Sequence, residues 1–317
     1  MMSDPVLGYL LAACALLLFT TSTLVTKAAS SRLDIGLGFL IATFVNIVFS
    51  AFALAIQLTL RAGGLEWNMQ AFWLFVVAGG FATYLGRWLF YESVVRFGPA
   101  KASIFQISSP LFTALMAWVA LGERLTPLVI AGMVITLAGL LLVSIKPGTF
   151  SRREPAVVRV QGVPVPATMR ERLLQSVLLL GLGGSLAYAI GNVLRGMAVR
   201  VWNEPIVGAL VGAVFGLALH VAFTPGKRKI PARLRAGSRS GTWLYALIGV
   251  CTISAQIATI GAMRYIPLSV ATLITLCTPL LVFPLSHWLF KNQGDMTAAV
   301  LLGSALALFG IFIIVMR

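Results

Sequence analysis

Apolar residues run along this chain in long blocks, and short polar connections separate the blocks. Each block is about 20 residues long, the length of an α-helix that crosses the hydrocarbon core of a bilayer. The ten blocks lie at 6–26, 37–60, 71–95, 100–121, 127–145, 174–198, 204–224, 242–263, 267–290 and 296–316. The pattern predicts an all-α polytopic membrane protein with ten transmembrane helices. The leader MMSDP carries no basic segment, so we expect the first block to be a retained span rather than a cleaved signal peptide.

Composition agrees with this interpretation and excludes several functions. Apolar residues make up 59% of the 317 residues and charged residues only 10%; with a mean hydropathy of +0.96, the chain is outside the range of soluble domains. The three cysteines show neither CxxC nor Cys/His spacing, so no metal site is expected. The sequence also has no GxxxxGK[ST], HExxH or GxSxG motif. We therefore expect no catalytic residues, no cofactor and no enzymatic activity.

The net charge of +15 could indicate a nucleic-acid partner, but the basic residues follow the spans. Seventeen of the 24 Lys and Arg residues lie in or beside alternate connections: Lys27, Arg32, Arg96, Lys101, Lys291, and six in each of 146–172 and 227–239. The other connections hold six, and we count Arg195 among them. The positive-inside rule then predicts odd-numbered connections in the cytoplasm and both termini outside, in the inner membrane of a bacterium. The expected partners are the lipid bilayer and a small-molecule substrate, without nucleic acid.

The second half of the chain repeats the first. The matched pairs include Arg96 and Arg264, Pro99 and Pro267, Pro110 and Pro279, and Gly139 and Gly310. The repeating unit contains five spans, and an odd number of spans makes the second copy enter the membrane from the opposite face. We therefore predict two inverted five-helix repeats at 1–145 and 174–317, joined by an exposed, basic, Pro-containing linker at 146–173. The substrate region is expected near the midplane, between the two repeats.

The segment SPLFTALMAWVALGERLTPLVIAGMVITLAGLLLV, which begins at Ser109, resembles the carboxyl-terminal part of the EamA-type repeat of the drug/metabolite transporter superfamily. The resemblance lies in the mid-helix proline, the Leu-Gly-Glu at a helix end and the spaced glycines. It implies a ten-helix secondary transporter with a central cavity between inverted halves, often an exporter of amino acids or other small metabolites. The second copy has Phe290, Lys291 and Asn292 in place of Leu-Gly-Glu, so we interpret Glu123 as closing a helix end. Many members of the superfamily have cytoplasmic termini, whereas the charge count here places them outside.

Arg87 is the deepest charge in the predicted spans. It lies about 5 Å from the middle of the third span, where a buried arginine is costly and must face protein or a water-filled cavity. At 100° per residue it shares a stripe with Gly80, Tyr84 and Tyr91. The corresponding stripe of the second copy holds the short residues Thr252, Ala255 and Thr259. The difference leaves room for a ligand, although a structural arginine bonded to neighbouring helices stays open.

Other polar residues recur at helical spacing within the spans. We predict substrate contacts from Arg87, Tyr84, Trp88, Tyr91, Gln106, Tyr188, Asn192, Gln256 and Thr275. Ser109 and Thr113 lie on the same stripe as Gln106, and Arg195 lies on the stripe of Tyr188 and Asn192. Buried hydroxyls and amides also join helices to one another, so a structural role stays open for each of them.

Four further features bear on the mechanism. Glu92 is a candidate for proton coupling, with a helix-end ion pair to Arg96 as the alternative. Pro110 and Pro279 each remove a backbone hydrogen bond within a span and are interpreted as helix breaks at gates. The GxxxGxxxG stripe from Gly208 in span seven predicts close helix packing, in a monomer or a weak homodimer.

The distribution of acidic residues bears on the class of substrate. Of the nine, only Glu92 is expected within a span, and the first span lacks the carboxylate that small multidrug antiporters of the superfamily carry there. Arg87 instead favours an amino acid or another zwitterionic or anionic solute, because a guanidinium pairs well with a carboxylate. A proton-coupled exporter of organic cations or drugs is one alternative. A non-transporting membrane scaffold is the other.

Overall fold

The computed structural model shows a bundle of apolar helices. It describes residues 5–61, 64–90, 106, 108–123, 125–144, 159–160, 163–164, 177–223, 237–278, 280–282, 285, 288 and 298–315. The helices in these residues are α1 Pro5–Ser30, α2 Ile35–Leu60, α3 Met69–Phe90, α4 Ser109–Leu121, α5 Pro127–Ser144, α6 Val177–Val201, α7 Pro205–Phe223, α8 Arg239–Tyr265, α9 Leu268–Thr275 and α10 Ala298–Val315. One helix falls in each predicted block, which confirms the all-α polytopic class.

Five of these helices are long and apolar enough to cross a membrane by themselves: α1, α2, α3, α7 and α8. Large apolar side chains point outward from the bundle, among them Phe52, Trp73, Trp243 and Phe312. Such a surface is stable in lipid and not in water. Within the predicted linker, the short strands β1 Arg159–Val160 and β2 Val163–Pro164 pair antiparallel.

Side-chain caps set the ends of several helices. Asp34 accepts a hydrogen bond from the Leu37 amide (3.2 Å) at the start of α2, and Asn68 accepts one from the Ala71 amide (2.9 Å) at the start of α3. These caps satisfy backbone donors that have no partner within the helix. Gly122, at φ +63°, ends α4 in the left-handed region that glycine adopts without strain.

The helix pairings suggest two related halves. Helix α1 packs on α8 and α9, and α6 packs on α3 and α4; α2 packs on α8, and α7 packs on α3. Helices α5 and α10 pair with each other, as do α2 and α7. Exchanging each helix with the one five positions away turns these pairs into one another, whereas the contacts of α8 with α6, α7 and α9 have no such counterpart among the main pairings of the described residues. The division into repeats at 1–145 and 174–317 stays a prediction, and this pairing supports it.

The two prolines predicted as helix breaks differ in their setting. Pro110 lies in the first turn of α4, where the missing amide costs no intrahelical hydrogen bond. Pro110 therefore begins α4, and the break that it was predicted to make within the span stays a prediction, because most of the residues just before it lie outside the described part of the chain. Pro279 lies outside the described residues, but the chain leaves helical geometry just before it, at Leu276 and Cys277. Their roles as gates stay predictions.

Candidate functional site

A buried polar cluster lies where α3, α6, α7 and α8 meet. Its charged member is Arg195 of α6, which is only 6% exposed. The guanidinium donates to Thr83 Oγ1 of α3 at 3.0 Å and to Asn192 Oδ1 at 3.5 Å. Both acceptors are neutral, so these bonds solvate the charge without balancing it.

The cluster lies near the middle of the helices that form it. Asn192 and Gln256 lie only about 5–6 Å along the axis from the central residues of α6 and α8, and Arg195 lies about 9 Å from the centre of α6. Counting Arg195 with a surface connection is therefore wrong, because α6 continues to Val201 and the side chain turns into the bundle.

Gln256 of α8 adds to the cluster an amide donor that has no acceptor in the described part of the chain. It is 5% exposed, and its amide nitrogen has no hydrogen-bond partner among the described residues. A methyl group placed on Gly212 of α7 would lie 3.8 Å from this nitrogen and 3.7 Å from Thr83 Oγ1. The amide and the Thr83–Arg195 pair thus converge on one place, and together they offer more donors than acceptors.

No carboxylate within the described part of the chain balances Arg195. The acidic residues there lie at helix ends or in connections: Asp34, Glu66, Glu123 and Glu204. Glu123 already pairs with Arg200, and Glu204 with Arg61. Glu92, the predicted coupling residue, lies outside the described residues.

Arg87 lies at a second, shallower position on α3. It is half-buried, with its guanidinium carbon 5.6 Å from the ring centroid of Phe39. Phe39 lies in the second turn of α2 and packs on His220 near the end of α7, with 4.4 Å between ring centroids. These neighbours place Arg87 nearer a membrane face than the sequence suggests. The guanidinium groups of Arg87 and Arg195 are still close enough to repel each other.

Tyr84 joins the same aromatic group as Arg87. Its ring lies 6.0 Å from Phe223 and 6.3 Å from His220, both on α7. The backbone of α3 affects the direction of these side chains, because Gly79–Gly86 forms a π-helix whose wider turns change which residues share a face. Thr83, next to Tyr84, consequently points to Arg195 on α6.

The other residues that were predicted to contact the substrate lie outside the polar cluster or outside the described residues. Tyr188 packs on Gly86 of α3, where an added methyl would lie 3.1 Å from the ring. The Thr275 hydroxyl donates to the Thr272 carbonyl of its own helix at 3.1 Å. Trp88 and Gln106 are half-buried. Tyr91 lies outside the described residues.

Helix α4 contributes two further polar residues. Ser109 and Thr113 are fully buried on its face, and neither hydroxyl has a hydrogen-bond partner among the described residues. The helix packs on α6 and α9. The sequence stripe in span four therefore corresponds to a buried polar face.

The first half of the chain is similar to a known protein family. The model of the EamA-like transporter family matches residues 6–145. These residues, somewhat less than half of the chain, are thus similar to the EamA-like transporter family. Members of that family carry small solutes across membranes and are not enzymes. The EamA match covers α1 to α5 and confirms the resemblance inferred from the sequence.

The rest of the chain is covered by likeness of fold. A crystal structure at 18% identity superposes with a TM-score of 0.68 and covers 97% of this chain and 98% of its own. At that identity the likeness shows a shared fold and no shared substrate. No curated protein sequence matches the chain. The EamA-like region is thus the first half of a fold that also occurs in a solved structure of the same extent.

Two members of the site are absent from the predicted substrate contacts. Arg195 lies close to the end of its apolar block, so it resembles a surface residue in the sequence. Thr83 has no feature that separates it from the many threonines that bond their own helix. A signal for Arg195 was its helical spacing from Asn192 and Tyr188.

Proposed function

We propose that this protein is a secondary active transporter of a small anionic or zwitterionic metabolite, with an amino acid as the best candidate. It would work by alternating access around a cavity between its halves, in the export direction and in the inner membrane of a bacterium. The observation that supports the substrate class is Arg195. A nearly buried guanidinium whose described partners are all neutral favours an anion as its missing counter-charge.

Arg87 supports the same class from a different position. It lies nearer a membrane face than Arg195 does, beside the aromatic ring of Phe39. Two positive charges at successive depths create a potential that attracts an anion inward, and the low dielectric of the bundle strengthens it. An organic cation would meet repulsion along this route.

The two alternatives make different demands on the chain. An organic-cation exporter needs an intramembrane carboxylate, and Glu92 is the candidate for that role and for proton coupling. A scaffold needs no unbalanced charge in its core, because such a charge only destabilises the fold. The donor excess around Arg195 therefore favours a transporter of anions over both.

Uptake into proteoliposomes tests the proposal. Purified protein is compared with Arg195→Ala, Arg195→Lys and Arg87→Ala on labelled amino acids, organic acids, sugar phosphates and organic cations. We expect a carboxylate-bearing solute to move, and Arg195→Ala to reduce its uptake about 10- to 100-fold, the cost of a charged hydrogen bond. Arg195→Lys keeps the charge and should retain part of the activity.

Arg239→Ala is the matched control, since Arg239 is exposed at the start of α8. Each variant must elute as a monodisperse protein and unfold at a comparable temperature. Transport of a cation in place of any anion, or full activity in Arg195→Ala, would overturn the proposed substrate class.

A further inference from the structure

The glycine stripe of α7 has two kinds of member. An added methyl on Gly208 would lie 2.4 Å from the ring of Phe75, and one on Gly216 would lie 2.7 Å from Thr83 Cγ2. At these distances no side chain fits, so both glycines serve the close approach of α7 to α3. The glycine stripe of α7 thus packs against α3 within one molecule.

Gly212, between them, is different. The atoms nearest to a methyl group there are Gly79 Cα at 3.5 Å, Thr83 Oγ1 at 3.7 Å and Gln256 Nε2 at 3.8 Å. These are ordinary van der Waals distances, so packing alone does not require a glycine. The space that the missing side chain leaves is bounded by two polar atoms from two other helices.

The two polar atoms beside Gly212, and the guanidinium of Arg195 that is bonded to one of them, are all able to donate hydrogen bonds. The Gln256 amide nitrogen has no partner among the described residues. The Thr83 hydroxyl accepts from Arg195 and keeps its own proton for another acceptor. The Arg195 guanidinium has five N–H groups, of which two are engaged with Thr83 and Asn192.

Such a set of donors matches one particular chemical group. A carboxylate has two acceptor oxygens and about four lone-pair sites, and it carries one negative charge, which the single guanidinium of the cluster balances. A phosphate monoester carries up to two negative charges at neutral pH, and only one would be balanced here. The charge count within the cluster therefore favours a monocarboxylate, and a dianion would need Arg87 as well as Arg195.

We propose that Arg195, Gln256 and Thr83 bind the carboxylate of the transported solute, and that Gly212 keeps a side chain away from their donors. The inference rests on the proposed function and specifies the substrate group that the site recognises. Gln256 is the specificity-determining residue, because its unpaired amide donates to the second carboxylate oxygen.

The first test is Gln256→Glu. The new carboxylate supplies Arg195 with an internal counter-charge and repels an incoming anion. We expect uptake of alanine and leucine to fall about 100-fold, the effect of losing a charged contact, while the unfolding temperature stays level or rises. Gln256→Leu removes the donor without adding charge, and should reduce the preference for alanine over alanine amide, which lacks the carboxylate.

The second test compares two Gly→Ala variants that both have room for the methyl. Gly212→Ala places a methyl against Thr83 Oγ1 and Gln256 Nε2, so the KM for alanine should rise about ten-fold through displacement of a hydrogen-bonded group. Gly183→Ala on α6 is the control, because its nearest neighbour is Leu89 Cδ1 at 3.6 Å. Its KM should not change.

The outcomes separate the two proposals. If the wild type takes up none of the panel, the proposed function is wrong and the subsite falls with it. If the wild type takes up carboxylates and Gln256→Glu and Gly212→Ala do so equally well, only the subsite is overturned. Uptake of sugar phosphates in place of carboxylates overturns the carboxylate assignment and leaves an anion transporter.

Discussion

Glu123 closes a helix end, as the sequence suggests, but the end is not that of its own helix. Its carboxylate accepts hydrogen bonds from the Leu268 amide at 2.8 Å and the Ser269 hydroxyl at 2.9 Å, at the start of α9. It also pairs with Arg200 at the end of α6. A negative charge at a helix N-terminus is favourable because the backbone amides point toward it. One residue thus ties α4, α6 and α9 together.

Glu123→Gln should lower the free energy of unfolding by about 1–3 kcal/mol, since it removes the charge from a capping and ion-pairing group. The measurement is thermal or denaturant unfolding of the purified protein in detergent. Glu66→Gln is the matched control, because Glu66 is exposed and its substitution should change stability little. An equal effect of both substitutions would contradict the capping role.

The two arginines show what sequence can and cannot predict at this scale. The sequence indicates that Arg87 is the deepest charge, whereas Arg195 borders the end of an apolar block and is counted with a connection. Their relative depth depends on where each helix starts and on which neighbours surround it. Arg87 lies beside Phe39 near one end of the bundle, whereas Arg195 is bonded to Thr83 near the centre. No pattern within a single span contains that information.

At the scale of the element, α3 departs most from its prediction. Its apolar length is correctly predicted, but the π-helical segment Gly79–Gly86 is not, because hydrophobic periodicity assumes an α-helix throughout. The change begins where α3 meets α7: a methyl on Gly79 would lie 2.6 Å from Gly212 Cα. Close approach of the two backbones is a property of the helix pair, and neither helix shows it alone.

Helices α5 and α10 approach each other equally closely through glycines. A methyl on Gly139 would lie 2.5 Å from both the Ala307 nitrogen and the Gly303 carbonyl oxygen. Gly139→Ala should therefore force the helices apart and cost about 1–3 kcal/mol, the usual range for overpacking. Unfolding temperatures of Gly139→Ala and of Gly183→Ala, which has room for its methyl, provide the comparison. A Gly139→Ala protein as stable as the wild type would show that this contact is not tight.

At the scale of the molecule, the ion pairs that the described residues form between the predicted repeats gather at one face of the bundle. Glu123 of α4 joins the ends of α6 and α9, and Glu204, just before α7, pairs with Arg61 and accepts from Gln57 Nε2 at 3.0 Å. All of these lie at even-numbered connections. The bundle itself is predictable from ten apolar blocks, whereas these contacts depend on how the two repeats face each other.

The distribution of basic residues predicts how the bundle is oriented in the membrane. With Arg195 in the interior, the odd-numbered connections hold seventeen Lys and Arg residues and the even-numbered side only five. The positive-inside rule then predicts an external carboxyl terminus. Alkaline phosphatase, which is active outside the inner membrane, should be active when fused after Arg317 and inactive when inserted at 146–173. Green fluorescent protein at the same two sites should give the opposite result. Fluorescence from the carboxyl-terminal fusion would mean that another determinant overrides the charge difference.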